Sequence, residues 1–306
     1  MVDLSGVFPI MPTVFDVHGE LDREGMLNVV DYLVRCGATG VVFPGLASEH
    51  DQLTRQERIA TTQAIGEWLA GRATFIVGAS AATPADAITY ARAGAEAGAV
   101  AAMVLTPSAL GSDVEALTGF YDALGRQAGL PIMLQNAPAP MGAGLSPSTV
   151  GELAMKVDVI RFVKEEAMPS GQRITALARY KTALDGVFGG AGARYVIDEL
   201  RRGAKGTMPA CEITEVHVAM LAAFESGDEN HARQLFERTL PLLSMQAVFR
   251  WRLTKEVLRR RGLIRSAFVR APGPELDPFD HRELGVLLER IADLLHIAPV
   301  VAEAAQ

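Results

Sequence analysis

The sequence predicts an α/β fold: a (β/α)₈ TIM barrel with a C-terminal helical appendage. Before about residue 212, short apolar runs alternate with segments of helical spacing, which is typical of βα repeats. Eight candidate strands in about 220 residues suit a (β/α)₈ barrel. From the third strand to the sixth, strand ends recur about every 30 residues, one βα unit each. No Gly-rich dinucleotide fingerprint follows any strand, which disfavours a doubly wound sheet.

Each predicted strand is a short run bounded by turn residues. The first is the extended segment 7–13, and the second, 39–43, ends in Pro44 and Gly45. The remaining strands are predicted at 74–79, 100–105, 132–135, 159–164, 186–188 and 206–208.

Helices are predicted between the strands from apolar spacing and capping residues. Thr54 and Glu57 form a capping box, and Thr83-Pro84 and Ser146-Pro147 each place a cap before a proline in the first turn. The predicted helices of this region are 22–35, 146–156 and 195–202, with others beginning near 54, 83, 113 and 170.

The pattern becomes all-helical after about residue 212. Helices are predicted at roughly 212–226, 228–243, 245–261 and 280–296, with the linker Ala271-Pro272-Gly273-Pro274 between the last two. We therefore expect a barrel domain over residues 1–225 and a C-terminal helical region over residues 226–306.

Composition excludes several classes of protein. The net charge of −7 comes without a basic patch interleaved with aromatic residues, so we expect no nucleic acid partner. The two cysteines lie far apart and no Cys/His spacing indicates zinc, so we expect no metal and no other cofactor. No apolar segment approaches the ~20 residues that span a bilayer, and Pro9 and Pro12 interrupt the N-terminal apolar run. These features predict a soluble, cytoplasmic protein without a membrane partner.

The segment 159–166 combines apolar and charged residues in an unusual way. A strand there would place Ile160, Phe162, Lys164 and Glu166 on one face, because side chains alternate with period 2. Lysine is rarely buried without a reason, and in an apolar pocket it loses its proton more easily and can attack a carbonyl as the free amine. The alternatives are a buried Lys164–Glu166 ion pair, or a strand end that frays into solvent.

Active sites of TIM barrels lie at the C-terminal ends of the strands. Side chains and turn residues from separate stretches are predicted to meet at that mouth: Ser48, Glu49, His50, Thr106, Gln135, Asn136, Lys164, Glu166, Gly189 and Gly190. Lys164 is the only lysine predicted at such a position, and this convergence favours a catalytic interpretation.

Several motifs resemble the dihydrodipicolinate synthase / N-acetylneuraminate lyase family of Schiff-base barrels, and the resemblance covers the whole chain. They are Gly6-Val7-Phe8-Pro9, residues 40–49, Asn136-Ala137-Pro138, Phe162-Val163-Lys164-Glu165 and residues 203–209. The resemblance implies that Lys164 forms a Schiff base with a 2-oxo acid such as pyruvate. It also implies a homotetramer, often a dimer of dimers.

Departures from the family pattern narrow the expected function. The family's Tyr-Asn-x-Pro stretch reads Gln135-Asn136-Ala137-Pro138 here, and glutamine does not titrate. The Gly-Thr-Thr/Ser-Gly-Glu loop appears as residues 45–49, without either hydroxyl at its usual position, and Ser108 and Ala109 replace the tyrosines expected after the fourth strand. The complete proton relay of the synthase is therefore absent. The chain looks most like the 2-keto-3-deoxy sugar-acid dehydratase branch, especially the L-2-keto-3-deoxyarabonate dehydratases.

The predicted site residues have defined roles. Lys164, Glu166 and Gln135 are the predicted catalytic residues, and Ser48, Glu49, Ala47, Asn136, Gly189 and Gly190 are the predicted substrate-binding residues.

Alternatives remain open for several of these roles. Ser48 with neighbouring amides binds the substrate carboxylate or satisfies its own backbone. Glu49 contacts substrate or bonds to loop amides, and one or both of Gln135 and Asn136 face the mouth or make core hydrogen bonds. The two glycines admit substrate or only form a turn, and Glu166 is the acid–base group or pairs with an arginine such as Arg173. His50 is expected to face solvent.

The expected activity is dehydration of a 2-keto-3-deoxy sugar acid through a lysine Schiff base. One alternative is a retro-aldolase that releases pyruvate from a related 2-oxo acid. The other is a barrel that binds a 2-oxo acid without catalysis.

Overall fold

The computed structural model describes residues 4–298, and in this part of the chain it confirms the (β/α)₈ barrel. All strand pairs of the sheet are parallel and alternate with helices. The strands are β1 Gly6–Val7, β2 Gly40–Phe43, β3 Thr74–Gly78, β4 Ala101–Leu105, β5 Ile132–Asn136, β6 Ile160–Glu165, β7 Gly186–Gly189 and β8 Gly206–Thr207.

The first predicted strand, 7–13, is much shorter in the structure. Only Gly6–Val7 pairs as a strand, with β8, and the extended chain that follows makes an isolated parallel bridge from Ile10 to Val42 of β2. Pro9 cannot donate a backbone hydrogen bond, which limits regular pairing along this segment. Its carbonyl accepts from the Val42 amide at 3.0 Å, and this contact closes the ring between the two ends of the sheet.

The helices follow the predicted capping residues closely. Thr54 accepts a hydrogen bond from the Glu57 amide at 3.2 Å and donates its own amide to Glu57 Oε2 at 2.8 Å, which confirms the capping box. The helices are α1 Arg23–Arg35, α2 Arg55–Leu69, α3 Pro84–Glu96, α4 Val114–Ala128, α5 Pro147–Lys156, α6 Ser170–Leu177, α7 Val196–Arg201, α8 Thr214–Glu225, α9 Glu229–Phe249, α10 Trp251–Arg260 and α11 Pro278–Arg290. Over residues 4–298, no helix has both the length and the apolar character needed to cross a membrane.

The predicted helix break near residue 244 is wrong. Helix α9 runs through Pro241 to Phe249, and the chain breaks at Arg250, whose φ is 51°. A proline inside a helix removes one backbone hydrogen bond. Leu242 and Leu243 are buried immediately after it, so packing against the C-terminal core holds the helix together across the proline.

Buried apolar side chains form three clusters, two of which follow from the alternation of side chains along the strands. One cluster fills the barrel interior, where Phe8, Met103, Met133, Phe162 and Phe188 meet. A second lies between the strands and the surrounding helices, and a third joins helices α7 to α11 to the barrel. Helix α8 contacts both β1 and α9, and a domain boundary near residue 225 stays a prediction.

Strand β6 contains a bulge that changes which residues face inward. Ile132 of β5 is opposite Ile160 but Met133 is opposite Phe162, so Arg161 is an extra residue. Ile160 therefore packs in the layer outside the barrel, whereas Phe162 packs inside it. The predicted common face is wrong at Ile160 and holds from Phe162 onward.

Candidate active site

Lys164 lies on the inward face of β6, near the C-terminal end of the strand, and is 3% exposed. Its Nζ is 3.2 Å from Glu166 Oε1. The strand geometry that places Phe162 inside the barrel also points Lys164 inward two residues later. The structure thus brings together the buried lysine and the carboxylate that the alternation predicted.

Glu166 is held on its other side by Gln135. The Gln135 Nε2 donates a hydrogen bond of 2.6 Å to Glu166 Oε2. The Glu166 amide donates to Asn136 O at 3.1 Å, so the β5–β6 ladder extends one residue past the strand and keeps the side chain inward. The alternative partner, Arg173, instead pairs with Glu165 at 3.0 Å. The three predicted catalytic residues therefore form one connected group.

The two glycines after β7 make room for carboxylates. A Cβ on Gly190 would lie 2.4 Å from Glu166 Cγ, and one on Gly189 would lie 1.8 Å from Glu199 Oε2. Real Cβ atoms essentially never approach so closely. The structure therefore gives no support to a substrate-binding role for either glycine, and it places both behind acidic side chains.

Glu199 is a buried acid that the sequence analysis missed. Ser170 Oγ donates to its Oε1 at 2.7 Å, while its Oε2 has no hydrogen-bond partner among residues 4–298. Burial raises the pKa of Glu199 to about 7, and the negative charges of Asp198, Glu166 and Glu165 act in the same direction. Glu199 lies within the short helix α7, and no sequence motif distinguishes it from a surface glutamate.

Ser48 supports the loop after β2 from within. The side chain is completely buried, its hydroxyl donates to Met11 O at 2.5 Å, and it accepts from the Gly45 amide at 2.8 Å. The hydroxyl is therefore committed to backbone groups, and direct binding of a carboxylate by it does not fit this geometry. Ala47, next to it, does line the cavity that contains Lys164.

Glu49 links the loop after β2 to the C-terminal helical region. Its carboxylate pairs with Lys255 of α10 and accepts from the amides of Arg270 and Ala271, each at 2.8 Å. Both side chains of the ion pair are fully buried, and burial lowers the pKa of Lys255 to about 8. Glu49 thus makes structural contacts on both carboxylate oxygens, and these give no support to its predicted role in substrate binding.

Asn136 points away from the mouth. Its Nδ2 donates to Leu145 O at 3.0 Å and to Glu165 Oε2 at 2.9 Å, and its Oδ1 accepts from the Leu145 amide at 2.9 Å. These bonds anchor the segment after β5 in the core. The prediction of substrate binding by Asn136 is therefore not supported, because Gln135, not Asn136, carries the inward orientation at the strand end.

His50 is buried, whereas the sequence analysis placed it in solvent. It is 9% exposed, and its Nε2 is 3.1 Å from Asp51 Oδ1. Burial lowers the pKa of His50, and the positive charge of Arg58 adds to this effect. The side chain lines a neighbouring cavity and is absent from the wall of the Lys164 cavity.

Two adjoining cavities open at the barrel mouth. The one containing Lys164 and Glu166 has a volume of about 310 Å³, and its neighbour about 500 Å³. Leu46, Met141, Arg250 and Trp251 line both cavities. The smaller one holds the candidate site, because the lysine and the carboxylate meet only there.

Side chains of the C-terminal half complete the Lys164 cavity. It is lined by Arg194, Gln246, Arg250 and Trp251, none of which was predicted from a sequence motif. The unusual backbone at Arg250 gave no local sequence signal. Over residues 4–298, no group of three or more His, Cys, Asp or Glu side chains is arranged to hold a metal ion.

The arrangement can form a covalent adduct and then move a proton. A buried amine beside a carboxylate has a partner that can accept a proton when the amine becomes a nucleophile. The Gln135 amide fixes that carboxylate by hydrogen bonding without itself titrating.

Comparisons with known proteins agree with the fold described above. The sequence model described as the dihydrodipicolinate synthetase family matches residues 3–291. L-2-keto-3-deoxyarabonate dehydratase of Azospirillum brasilense is 29% identical, over 95% of each chain. The probable 2-dehydro-3-deoxy-D-pentonate aldolase YjhH of Escherichia coli is 25% identical, over 81% of this chain and 83% of that protein. The crystal structure of dihydrodipicolinate synthase from Rhodopseudomonas palustris superposes with a TM-score of 0.87 at 26% identity, covering 94% of this chain and 98% of that one.

Proposed function

This chain belongs to the dihydrodipicolinate synthetase family, and from that premise we propose that it dehydrates a 2-keto-3-deoxy sugar acid through a Schiff base on Lys164. The observation that carries the proposal is the buried Lys164 Nζ 3.2 Å from a carboxylate that Gln135 holds in place. A dehydratase and an aldolase among the relatives are named for 2-keto-3-deoxy acids.

The first step is covalent. Lys164 Nζ, as the free amine, attacks C2 of the 2-oxo acid, and the oxygen of C2 leaves as water to give an iminium ion. Glu166 Oε1, 3.2 Å away, takes the proton that the ammonium form gives up and returns it to the departing oxygen, so Glu166 is a carboxylate again before the next step. The positive iminium nitrogen then acidifies the protons on C3.

The second step eliminates the C4 hydroxyl. Glu166 takes a proton from C3, and the electrons of that C–H bond form an enamine. The enamine expels the C4 oxygen, which receives a proton from Glu166 and leaves as water. The product is a conjugated iminium ion, whose hydrolysis frees Lys164. One carboxylate serves as base and then as acid, so no second titrating group is needed.

The ion pair between Lys164 and Glu166 constrains this cycle. An ionised Glu166 stabilises the protonated, non-nucleophilic form of Lys164. When the anionic substrate enters the small cavity, it displaces water and brings its C2 carbonyl to the amine. Lys164 then gives its proton to Glu166, and the free amine attacks C2 at once. Gln135 keeps Glu166 in reach during that transfer.

A retro-aldolase that releases pyruvate is the second candidate, favoured by the name of the Escherichia coli relative. That reaction needs a base at the C4 hydroxyl, where the family tyrosine is replaced by Gln135. Pyruvate release, followed with lactate dehydrogenase, separates the two reactions because dehydration yields no pyruvate.

Family membership also supports two proposals about the molecule as a whole. We propose a homotetramer, arranged as a dimer of dimers, which sedimentation equilibrium would test. We further propose a cytoplasmic location and a small-molecule 2-oxo acid as the substrate, with no nucleic acid or membrane partner.

The decisive experiment traps the intermediate. Incubation with a 2-keto-3-deoxy pentonate and borohydride should add a substrate-derived mass at Lys164. The Lys164→Ala variant should keep its fold and lose turnover, because removal of a nucleophile costs many orders of magnitude in rate. Lys156→Ala, at an exposed lysine of α5, is the matched control.

Three outcomes contradict the proposal in different ways. An unmodified Lys164 in active enzyme would exclude the covalent mechanism. Pyruvate as the product would assign the aldolase reaction. Schiff-base formation without turnover of any 2-keto-3-deoxy acid would point to a barrel that only binds its ligand.

A further inference from the structure

The Lys164 cavity holds more positive than negative side chains. Four ionisable residues line it: Lys164, Glu166, Arg194 and Arg250. Lys164 and Glu166 pair with each other. Within residues 4–298, neither arginine has a carboxylate oxygen within 4 Å. Among the described residues, the wall therefore carries two guanidinium groups that form no ion pair, and the negative charge of Glu166 acts on Arg250 from a greater distance.

Arg250 is held at the cavity by the break between α9 and α10. Its φ of 51° lies in the left-handed region, which is costly for a residue other than glycine, and its amide donates to Gln246 O at 2.7 Å. The guanidinium carbon lies 4.3 Å from the centre of the Trp251 ring, and Nη2 is 3.7 Å from Met141 Sδ. These contacts restrain the guanidinium at the rim of both cavities.

Arg194 reaches the same cavity beside Gly192. The Arg194 Nη1 and Gln246 Oε1 each lie 3.3 Å from the point that a Cβ on Gly192 would occupy. The missing side chain thus leaves space into which two polar groups converge. An arginine nearby behaves differently: Arg252, two residues after Arg250, pairs with Glu275 at 3.4 Å and does not line the Lys164 cavity.

We propose that Arg194 and Arg250 form a subsite for a second carboxylate, at the end of the substrate far from the 2-oxo group. The substrate class is then a 2-keto-3-deoxy dicarboxylic sugar acid. This inference rests on the proposed function, because Lys164 must take the 2-oxo end. The planar guanidinium fork matches a carboxylate with paired, charge-assisted hydrogen bonds.

The loop after β2 is a candidate site for the first carboxylate. Leu46 and Ala47, in the loop after β2, line the cavity without adding charge, and loop amides of this kind bind carboxylates. A cavity of about 310 Å³ is at the lower end of the range for small-molecule sites, which suits a short acid. The first carboxylate would then bind the loop amides, and the second would bind the two guanidinium groups.

The test compares two acids that differ only at the far end. 2-Oxoglutarate and 2-oxopentanoate share chain length and the 2-oxo acid group, but only the first has a distal carboxylate. Neither has a hydroxyl to eliminate, so the Schiff base is the end point. The half-saturating concentration for borohydride trapping at Lys164 is measured by mass spectrometry for each acid.

We expect 2-oxoglutarate to half-saturate at a roughly 10- to 100-fold lower concentration, as charged hydrogen bonds produce. Arg194→Met and Arg250→Met should each reduce this preference to about threefold or less, and Arg250→Lys should keep part of it. Arg252→Met, the matched control, should keep all of it.

Other results overturn the subsite. Equal half-saturating concentrations for the two acids would overturn it. Arginine variants that raise the half-saturating concentration of both acids equally would also overturn it, because the arginines would then bind the carboxylate that the two acids share. The Schiff base on Lys164 would stand in both cases. If neither acid is trapped, trapping with a 2-keto-3-deoxy pentonate tests the proposed function separately. Calorimetry then measures the affinities for glutarate and pentanoate, which tests the subsite alone. Tighter binding of glutarate that is lost in the arginine variants supports the subsite, and equal affinities overturn it.

Discussion

Gly190 lies against Glu166 so closely that a Cβ on it would come within 2.4 Å of Glu166 Cγ and 2.8 Å of Oε1. Glu166 in turn sits 3.2 Å from Lys164 Nζ. The carboxylate can face the lysine only because position 190 has no side chain. A residue expected to touch substrate thus positions the group that we assign to proton transfer.

Gly190→Ala should therefore displace Glu166 and slow dehydration while Schiff-base trapping persists. We expect a loss of roughly 10- to 100-fold in kcat, the scale on which small misplacements act. Gly119→Ala is the control, since a Cβ there would meet no atom within 4 Å. Undiminished dehydration in Gly190→Ala would show that the placement of Glu166 is not critical.

Glu166→Gln should separate the two chemical steps. Glutamine keeps the shape but cannot take the C3 proton, so borohydride should still trap the adduct while water loss slows by roughly 10²–10⁴-fold. Glu152→Gln, at an exposed pair on α5, should leave the rate unchanged. If Glu166→Gln dehydrates at nearly the wild-type rate, Glu166 is not the acid–base group.

Ser48→Ala should destabilise the protein and raise KM with little change in kcat. Removal of the hydroxyl leaves the Met11 carbonyl and the Gly45 amide unpaired in the core, a cost of about 1–3 kcal/mol. The loop that carries Ala47 would shift, which weakens ground and transition states alike. Urea unfolding measures the change in stability, and steady-state kinetics measure KM and kcat. Ser244→Ala, at an exposed position of α9, is the control. A fall in kcat alone would indicate proton transfer by Ser48 instead.

Lys255→Met should cost about 3–5 kcal/mol, because it leaves the buried Glu49 carboxylate without its cation. The double variant Lys255→Met/Glu49→Gln should recover part of the loss, since the glutamine oxygen can still accept from the Arg270 and Ala271 amides. Chemical denaturation of each variant gives the free energies of unfolding. The exposed Lys156–Glu152 pair supplies the control Lys156→Met, expected within about 0.5 kcal/mol of wild type. A Lys255→Met variant as stable as that control would refute the structural role.

Glu199 should make the protein less stable as the pH rises toward neutrality. Its pKa is about 7 in the folded protein against an ordinary value of 4.5, so the folded state holds the proton more tightly. The stabilisation is complete below about pH 4.5 and is lost as the pH rises through 7, with a total of at most about 3 kcal/mol.

The Glu199→Gln variant should flatten this dependence, because glutamine cannot ionise. Urea unfolding at pH 5, 6, 7 and 8 compares the two proteins. Glu212, whose pKa burial raises to about 6, contributes a slope of the same sign to both proteins and cancels in the difference. Parallel curves for the two proteins would place the Glu199 pKa near its ordinary value.

The sequence by itself determined the barrel and the centre of the candidate site. Strand and helix periodicity are local properties, and parallel strands bring their C-terminal ends to one mouth. Lys164, Glu166 and Gln135 meet there because each occupies an inward position at the end of β5 or β6. Helix caps such as Thr54 could also be predicted from the sequence, because their hydrogen-bond partners lie within four residues.

Only the tertiary structure decided the direction of side chains in loops and the composition of the outer wall. Asn136 and Ser48 turned out to bond backbone groups 9 and 37 residues away, respectively. Arg250 reaches the site because α9 continues past Pro241 and breaks at a left-handed residue, and the bulge at Arg161 moves Ile160 outward. Each of these outcomes depends on contacts between distant segments, whose packing free energy exceeds the local preferences that a sequence pattern records.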